Sequence, residues 1–403
     1  MSRILFVEDA MNTLLSVVNN GKNAEEILLV DAFRRVTGED IYAKINQPPF
    51  DRSPLDGYAV RHQDIQDANR MIPAALTVTQ TIHAGDVPQK SLQEGDAAVI
   101  MTGAPIPPGA TCVVRQEVTD GGTDVVRIYQ SQHELDNICF AGEDITKGQL
   151  LINKGEVLDA VKLGILASQG IHKIKVFQKP RIAVLSTGSE LQEIRSELKP
   201  GMIYDSNRYT LSFRAMELGM NVVINKQLPD DIIVLTDGIK AAIAESDFVI
   251  TTGGVSVGMR DYLPVVCNQI GTQMLFEGIA AKPGSPVHAY EQDGTVILCL
   301  SGNPFAAYAT FELLAVPALR KLSGQNSVIP KRKTGELAED FNKKSNSRRI
   351  IRAYQEDDYI HIPGQHSSGS LASMNGCNCL IDIPAGTGVL KKGQQVEVIV
   401  INM

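Results

Sequence analysis

The sequence predicts a multi-domain α/β plus β protein: a doubly wound α/β domain, a discontinuous helical domain carrying a β-rich insertion, and a small C-terminal β domain. Three observations predict this. Residues 180–325 alternate short apolar strands with amphipathic helices, the pattern of a parallel sheet covered on both faces. Two helical stretches bracket a run of short strands and Gly/Pro turns at about 47–142, so that run reads as an insertion. Beyond Pro330 the chain is first basic and then strand-rich.

The elements follow in order. Residues 1–46 carry helical periodicity, through Leu14, Val17 and Val18 and then Ile27, Leu28, Ala32 and Phe33, and Pro48-Pro49 ends the region. The expected strands of the insertion are 58–60, 76–83, 97–101, 112–116 and 125–129, with Pro105, Pro107, Pro108 and Gly121-Gly122 marking turns. A helix over 159–170 returns to the first region, which gives a helical domain of 1–46 and 143–179 around 47–142. In 180–325, Arg181–Ser186 is a strand, Ser206 or Asn207 caps a helix ending at Gly219, and 221–225 is the next strand. Asp230 or Asp231 caps a helix with Ile232, Leu235, Ile239 and Ile243 on one face. Residues 247–251 form a wholly buried strand, and 295–300 a fourth that turns at Ser301-Gly302-Asn303-Pro304 into a helix. In the terminal domain, 326–403, strands are expected at 350–354, 359–362, 380–383 and 396–401.

Composition narrows the function classes. The chain has 403 residues, 43% hydrophobic and 21% charged, which is the balance of a soluble globular protein of two to four domains. No apolar run approaches the length of a membrane span, and acidic residues stand where a signal peptide needs an apolar stretch, so a cytoplasmic protein is expected. A net charge of −8 argues against general nucleic-acid binding. Six cysteines form no disulfide framework, and Cys377-x-Cys379 lacks a second pair at zinc spacing. The seven histidines form no metalloprotease or hydrolase arrangement.

The chemistry is carried by turns. A Gly-rich turn after a parallel strand exposes N–H groups that bind anions, and Thr252-Gly253-Gly254-Val255-Ser256-Val257-Gly258 is such a turn. It is followed by Met259-Arg260, not Lys-Ser/Thr, so it is no P-loop, and G-x-G-x-x-G is lacking too. Asp261 just beyond supplies a carboxylate. Two further strands end in Thr187-Gly188-Ser189-Glu190 and Ser301-Gly302-Asn303, and in this topology the three turns converge on one ligand. Lys282-Pro283-Gly284-Ser285-Pro286 is an anion candidate, since Gly permits close backbone approach and Lys282 brings charge. Ser53-Pro54-Leu55-Asp56-Gly57-Tyr58 carries a carboxylate in what reads as a hairpin turn.

In order along nearly the whole chain, these segments resemble the molybdopterin molybdenumtransferase family of the MoeA and gephyrin E-domain type. The resemblance rests on 49–60 (Pro-Phe-Asp-Arg-Ser-Pro-Leu-Asp-Gly-Tyr-Ala-Val), Met101-Thr102-Gly103-Ala104-Pro105 and Ala141-Gly142-Glu143-Asp144-Ile145. It continues through Ser186–Leu191, Gly253–Gly258 with Asp261-Tyr262, Lys282-Pro283-Gly284, and Gly302-Asn303-Pro304. It implies a MogA-like α/β domain, a C-terminal β-barrel, and a four-domain homodimer. It implies that adenylylated molybdopterin and molybdate give molybdenum cofactor and AMP with Mg²⁺, and that the molybdopterin adenylyltransferase and molybdoenzymes are partners. Carried over by motif, Asp56, Thr102, Asp144, Glu190, Asp230 and Asp261 are the functional polar residues, with Asp56, Glu190, Asp230 and Asp261 as metal ligands. Thr187, Gly188, Ser189, Gly253, Gly254, Ser256, Gly258, Gly302, Asn303 and Pro304 line the pterin and phosphate site. Lys282 with Gly284 and Ser285 holds molybdate, assisted by Ser368 and by Arg349 or Arg352.

The chemistry of the residues agrees, because Mg²⁺ takes carboxylate oxygens beside water and phosphate, and a dianion takes Lys, Arg and N–H groups. The sequence departs from the family at Ser285, where the second lysine of Lys-Pro-Gly-Lys-Pro commonly stands, and at Gly278, often a lysine. These losses are what a non-catalytic molybdopterin-binding or scaffold paralogue would show, whereas four retained carboxylates are what an enzyme needs.

Overall fold

The computed structural model describes residues 4–21, 23–255, 262–344, 346–364 and 367–401. The chain divides into two compact units, 1–39 with 154–159 and 173–403, and 40–153 with 160–172.

In the first unit, a six-stranded sheet runs in the order Asn221–Leu228, Arg181–Thr187, Phe248–Thr252, Thr295–Leu300, His288–Gln292, Gln273–Phe276. Five of the six strands run in one sense, and only His288–Gln292 is reversed, antiparallel to both its neighbours. Phe248–Thr252 and Thr295–Leu300 are buried at every position, which is why both read as unbroken apolar runs. Successive side chains alternate between the two faces. Val184 packs with Leu211 and Phe305 on one face, and Ala183 and Leu185 pack with Leu235, Ile239 and Val266 on the other. Removing the ring of the fully buried Phe248 would cost about 3–5 kcal/mol.

The helices follow their capping signals. Asp231, not Asp230, caps Ile232–Glu245 by accepting from the N–H groups of Ile233 and Val234. Asn207–Glu217 begins after Ser206, which makes no side-chain capping bond. Pro304–Thr310 passes through a π-helical turn, Phe311–Ala315, into Val316–Leu322. The buried Glu312 on that turn accepts from Arg214 Nε at 2.6 Å, tying the segment to the Asn207–Glu217 helix.

The terminal residues of this unit close a five-stranded barrel. Arg348–Glu356, Tyr359–His361, Arg332–Leu337, Gln395–Val400 and Cys379–Ile383 pair in that order, and the last returns to the first. The short strand Ala281–Lys282 adds to the barrel by pairing with Arg348-Arg349.

Sequence periodicity misread one stretch of the first region. Val7–Val17 is the expected helix, but Ala24–Leu28 is a strand, antiparallel to Lys173–Phe177, followed by a 3₁₀ turn at Leu29–Asp31. Its exposure alternates along the strand, a two-residue period that the apolar pair Ile27-Leu28 concealed. Strands His288–Gln292, Gln273–Phe276 and Arg332–Leu337 were also not anticipated.

The second unit is built on a five-stranded sheet in the order Cys112–Arg115, Gly57–Val60, Asp96–Ile100, Ala74–Ile82, Val125–Ile128. Gly57 opens a fully buried strand and is not a hairpin residue. A methyl group there would sit 1.9 Å from the Val114 carbonyl oxygen of the neighbouring strand, so close strand approach explains the glycine. The helix Ala160–Ser168 and the paired strands Ile41–Tyr42 and Leu150–Ile152 complete this unit.

Candidate active site

The three Gly turns meet because their strands are neighbours in level register, Ser186 beside Thr252 and Thr252 beside Leu300. The chain crosses from the Arg181 strand to one side and then to the other, so this edge is the topological switch point where open α/β sheets bind ligands. Gly253 has φ +92°, and a methyl group on it would lie 2.0 Å from the Thr187 carbonyl oxygen. Only glycine lets these two turns touch. A methyl group on Gly302 would stand 3.6 Å from the Gly253 Cα, which brings the third turn into the same place.

Side chains stitch the turns together. Asp230 accepts from the Thr187 hydroxyl and, at 2.8 Å, from the Ser189 N–H, so its two oxygens clamp the Thr187–Gly188–Ser189 turn. Asn207 Nδ2 donates to Thr252 Oγ1 at 3.0 Å and to the Gly302 carbonyl at 2.7 Å, and Thr252 Oγ1 donates to the Ser301 carbonyl. The Asn303 N–H donates to Ser301 Oγ, and Pro304 begins the helix. Beneath, Ser186 donates to the buried Asp205, which accepts from Arg208 Nε at 2.8 Å. Arg208 also reaches Asn225 and Glu193. Asp205 and Arg208 were not singled out from sequence, and Asn207 was read only as a candidate helix cap. The polar run Asp205–Arg208 at the start of the helix was the available signal, and Asp205 Oδ1 accepts from the Arg208 N–H in its first turn.

Two cavities open at this edge. One, of about 70 Å³, lies among Thr187, Glu190, Asn207, Thr252, Gly253 and Pro304. The other, of about 710 Å³, is bordered by Gly188, Ser189, Asp230 and Tyr262. Gly254 packs behind, where a methyl group would meet Thr187 Cγ2 at 3.0 Å. Ser256, Gly258 and Asp261, expected at this site, lie outside the described residues.

Mg²⁺ binds one or two carboxylates and completes its shell with water and phosphate. Glu190 fits that demand, since a methyl group on Gly188 would lie 2.8 Å from either of its carboxylate oxygens, at the turn that Asp230 clamps. Among the described residues no three His, Cys, Asp or Glu groups gather as a fuller metal site.

A third cavity, of about 300 Å³, is cationic. Lys282, Arg349, Arg352 and Ser368 line it with Phe305, Phe341 and Lys343. Strand pairing explains the convergence, because Lys282 stands beside Arg349 and both arginines lie on the Arg348–Glu356 strand. Arg352 is 1% exposed, donates to the Ser367 carbonyl at 2.7 Å and lies 4.2 Å over the Phe305 ring. Burial pulls its pKa below the ordinary guanidinium value. Arg349 lies over the Phe341 ring, and its buried Nε has no hydrogen-bond partner among the described residues. The Phe305 N–H donates to the Ser368 carbonyl, fixing the loop to the helix start. Pro304 borders the 70 Å³ cavity and Phe305 the cationic one, so one helix start separates the two.

Ser285, expected at the oxyanion, does not line this cavity; its carbonyl accepts from Ile279 and Val287. Gly284 is pressed against the Thr310 side chain. Gly278 has φ +143°, a conformation in which a lysine would be strained.

The second unit holds the remaining residues. Asp56 Oδ1 accepts from both the N–H and the hydroxyl of Thr102, each at 2.7 Å. The Thr102 N–H first, and then its hydroxyl, hold the Asp56 carboxyl below the usual carboxylate range. Asp144 is exposed, and its N–H donates to the Gln47 carbonyl.

Three family models match successive stretches of the chain. Residues 5–170 match the MoeA N-terminal region (domain I and II), 183–321 a probable molybdopterin binding domain, and 334–401 the MoeA C-terminal region (domain IV). A molybdopterin molybdenumtransferase of Staphylococcus epidermidis is 37% identical over 397 residues, covering 98% of this chain and 94% of that protein. One from Staphylococcus aureus is 36% identical, covering 93% and 90%. The crystal structure of a molybdopterin biosynthesis MoeA protein from Pyrococcus horikoshii superposes with TM-score 0.83 at 32% identity, over 100% of both chains.

Proposed function

The chain belongs to the molybdopterin molybdenumtransferase family, of MoeA type, and from that premise we propose that it inserts molybdate into adenylylated molybdopterin and releases AMP. The observation that carries this reading is the adjacency of two cavities across the Pro304-Phe305 helix start. One is walled by strand-end turns suited to a pterin phosphate; the other is lined, among the described residues, by four cations and no carboxylate, and suits a tetrahedral dianion.

In the proposed complex, the Thr187, Thr252 and Ser301 turns bind the phosphoanhydride and its pterin. Lys282, Arg349, Arg352 and Ser368 hold molybdate next to the dithiolene. The fixed guanidiniums are aimed in advance, so little reorganisation accompanies the reaction. Glu190 and Asp230 would hold Mg²⁺, which would supply neutralisation of phosphate charge. The Thr102 hydrogen bonds favour the ionised Asp56 carboxylate, which suits it to hold a cation. We further propose that Asp56, Thr102 and Asp144 complete the site in a homodimer that works in the cytoplasm, alongside the adenylyltransferase that supplies its substrate and the molybdoenzymes that take its product.

The test is AMP release by the purified chain with adenylylated molybdopterin, molybdate and Mg²⁺. Turnover that requires both ions supports the proposal. Release of AMP without incorporation of molybdenum would reduce the protein to a hydrolase, and no release at all would leave only pterin binding.

A further inference from the structure

Among its described cationic groups, the cavity of Lys282 and Arg349 contains one that the sequence did not point to. Lys343 lines it two residues after Phe341, whose backbone is fixed by reciprocal hydrogen bonds with Leu390 at 2.8 and 3.0 Å. The Phe341 ring lies under Arg349, so a single pinned residue sets both the arginine and the approach of Lys343. Among the described residues the lining thus has four cationic side chains and no carboxylate around about 300 Å³. Like charges gathered against two phenylalanine rings repel one another unless an anion lies among them. Two features point to such an anion: the buried Arg349 Nε has no protein partner among the described residues, and neither Lys282 nor Lys343 pairs with a described carboxylate.

We propose that Lys343 is an oxyanion-binding residue of this pocket and supplies the positive charge that position 285 does not. The ligand class is a tetrahedral dianion, and the assignment rests on the proposed use of the pocket for molybdate. The two arginines are held by ring and carbonyl contacts and act as fixed walls. Lys343 is exposed on a four-carbon stem and can close onto the anion as it enters. Ser285 is turned to backbone bonding, so the lysine missing there is replaced from the opposite, C-terminal segment of the fold.

The experiment is calorimetric titration of molybdate into the full-length protein, comparing wild type with Lys343→Gln, Lys343→Arg, Lys282→Gln and Lys344→Gln. Lys344 carries the same charge one residue away and does not line the cavity. The expected result is about tenfold weaker binding for Lys343→Gln, partial recovery for Lys343→Arg, and a change below about twofold for Lys344→Gln, tenfold being about 1.4 kcal/mol. The same ratios are read from the half-saturating molybdate concentration for AMP release, so binding too weak for calorimetry still decides. Unchanged thermal midpoints exclude misfolding. If Lys343→Gln matches wild type while Lys282→Gln is weakened, the proposal is overturned and the pocket assignment stands. If neither lysine matters, the pocket assignment falls as well.

Discussion

Asp230→Asn separates a structural duty from a metal-binding one. Asp230 accepts two hydrogen bonds through different oxygens, from the Thr187 hydroxyl and the Ser189 N–H. Asparagine can keep its oxygen on the Ser189 N–H and donate its amide N–H to the Thr187 hydroxyl, which then accepts, so both contacts persist but neither is made to a charged group. Hydrogen bonds to a charged group contribute about 1.5–3 kcal/mol against about 0.5–1.5 kcal/mol for neutral ones, so removing the charge from both members of this pair should destabilise the α/β domain by about 1.5–3 kcal/mol. At roughly 2–4 °C per kcal/mol for a domain of this size, the thermal midpoint should fall by about 3–12 °C. The assay is thermal unfolding followed by tyrosine and far-UV signals, in EDTA so that no metal contributes, with AMP release measured in parallel. A repulsive metal-ligand cluster behaves in the opposite way, because neutralising one of its carboxylates in EDTA leaves the midpoint unchanged or raises it. That result, with turnover still lost, would refute the clamp.

Four other outcomes are expected. Asp56→Asn should lower turnover about a hundredfold or more while pterin binding persists. Thr102→Val removes the side-chain bond that helps hold the Asp56 carboxyl down, so its pKa rises and the acidic limb of the turnover profile should move to higher pH. Ser285→Lys should leave half-saturating molybdate within about twofold of wild type, since position 285 is outside the cavity, and a tenfold improvement would place it inside. Mixing Asp56→Asn with Glu190→Ala protein should restore part of the activity if the two groups act across a homodimer, and verified heterodimers without activity would put both on one chain.

A pH effect on the barrel follows from one buried carboxylate. Burial pushes the Asp382 pKa up, but the Arg348 hydrogen bond and charge, helped by Arg332, outweigh it and leave the carboxyl below its ordinary 3.8. A depressed folded-state pKa adds stability above the unfolded value, and this is lost as pH falls through the folded value. Acid unfolding of the barrel should therefore begin below about pH 4, and Arg348→Met should shift it to higher pH. Far-UV signal against pH reads both, and coincident curves would discount the pair.

What was legible in the sequence depended on whether local pattern and tertiary position agreed. Phe248–Thr252 and Thr295–Leu300 are covered on both faces, so their apolar runs had no other reading at that length. Their glycine turns were legible for the same reason, because a turn that ends a buried strand can only lie at the sheet edge. Arg332–Leu337 was opaque: Arg332, Lys333 and Thr334 are exposed, and only barrel closure makes them a strand. His288–Gln292 was opaque because it enters an otherwise parallel sheet in the opposite sense, which no periodicity encodes.

The same distinction divides the site residues. Thr187, Gly253 and Gly302 announce themselves by position relative to a strand. Asn207 and Lys343 do not, because their partners come from segments far away in the chain: Gly302 lies 95 residues from Asn207. Resemblance to a family supplies such distant pairings only where motifs persist, and at 278 and 285 they do not. At 278 the backbone itself argues against a lysine, since φ +143° leaves room for little but glycine. The missing positive charge must then be sought in space and not in register, which is how a lysine from the barrel segment enters a pocket otherwise predicted from the Lys282 turn and the arginines.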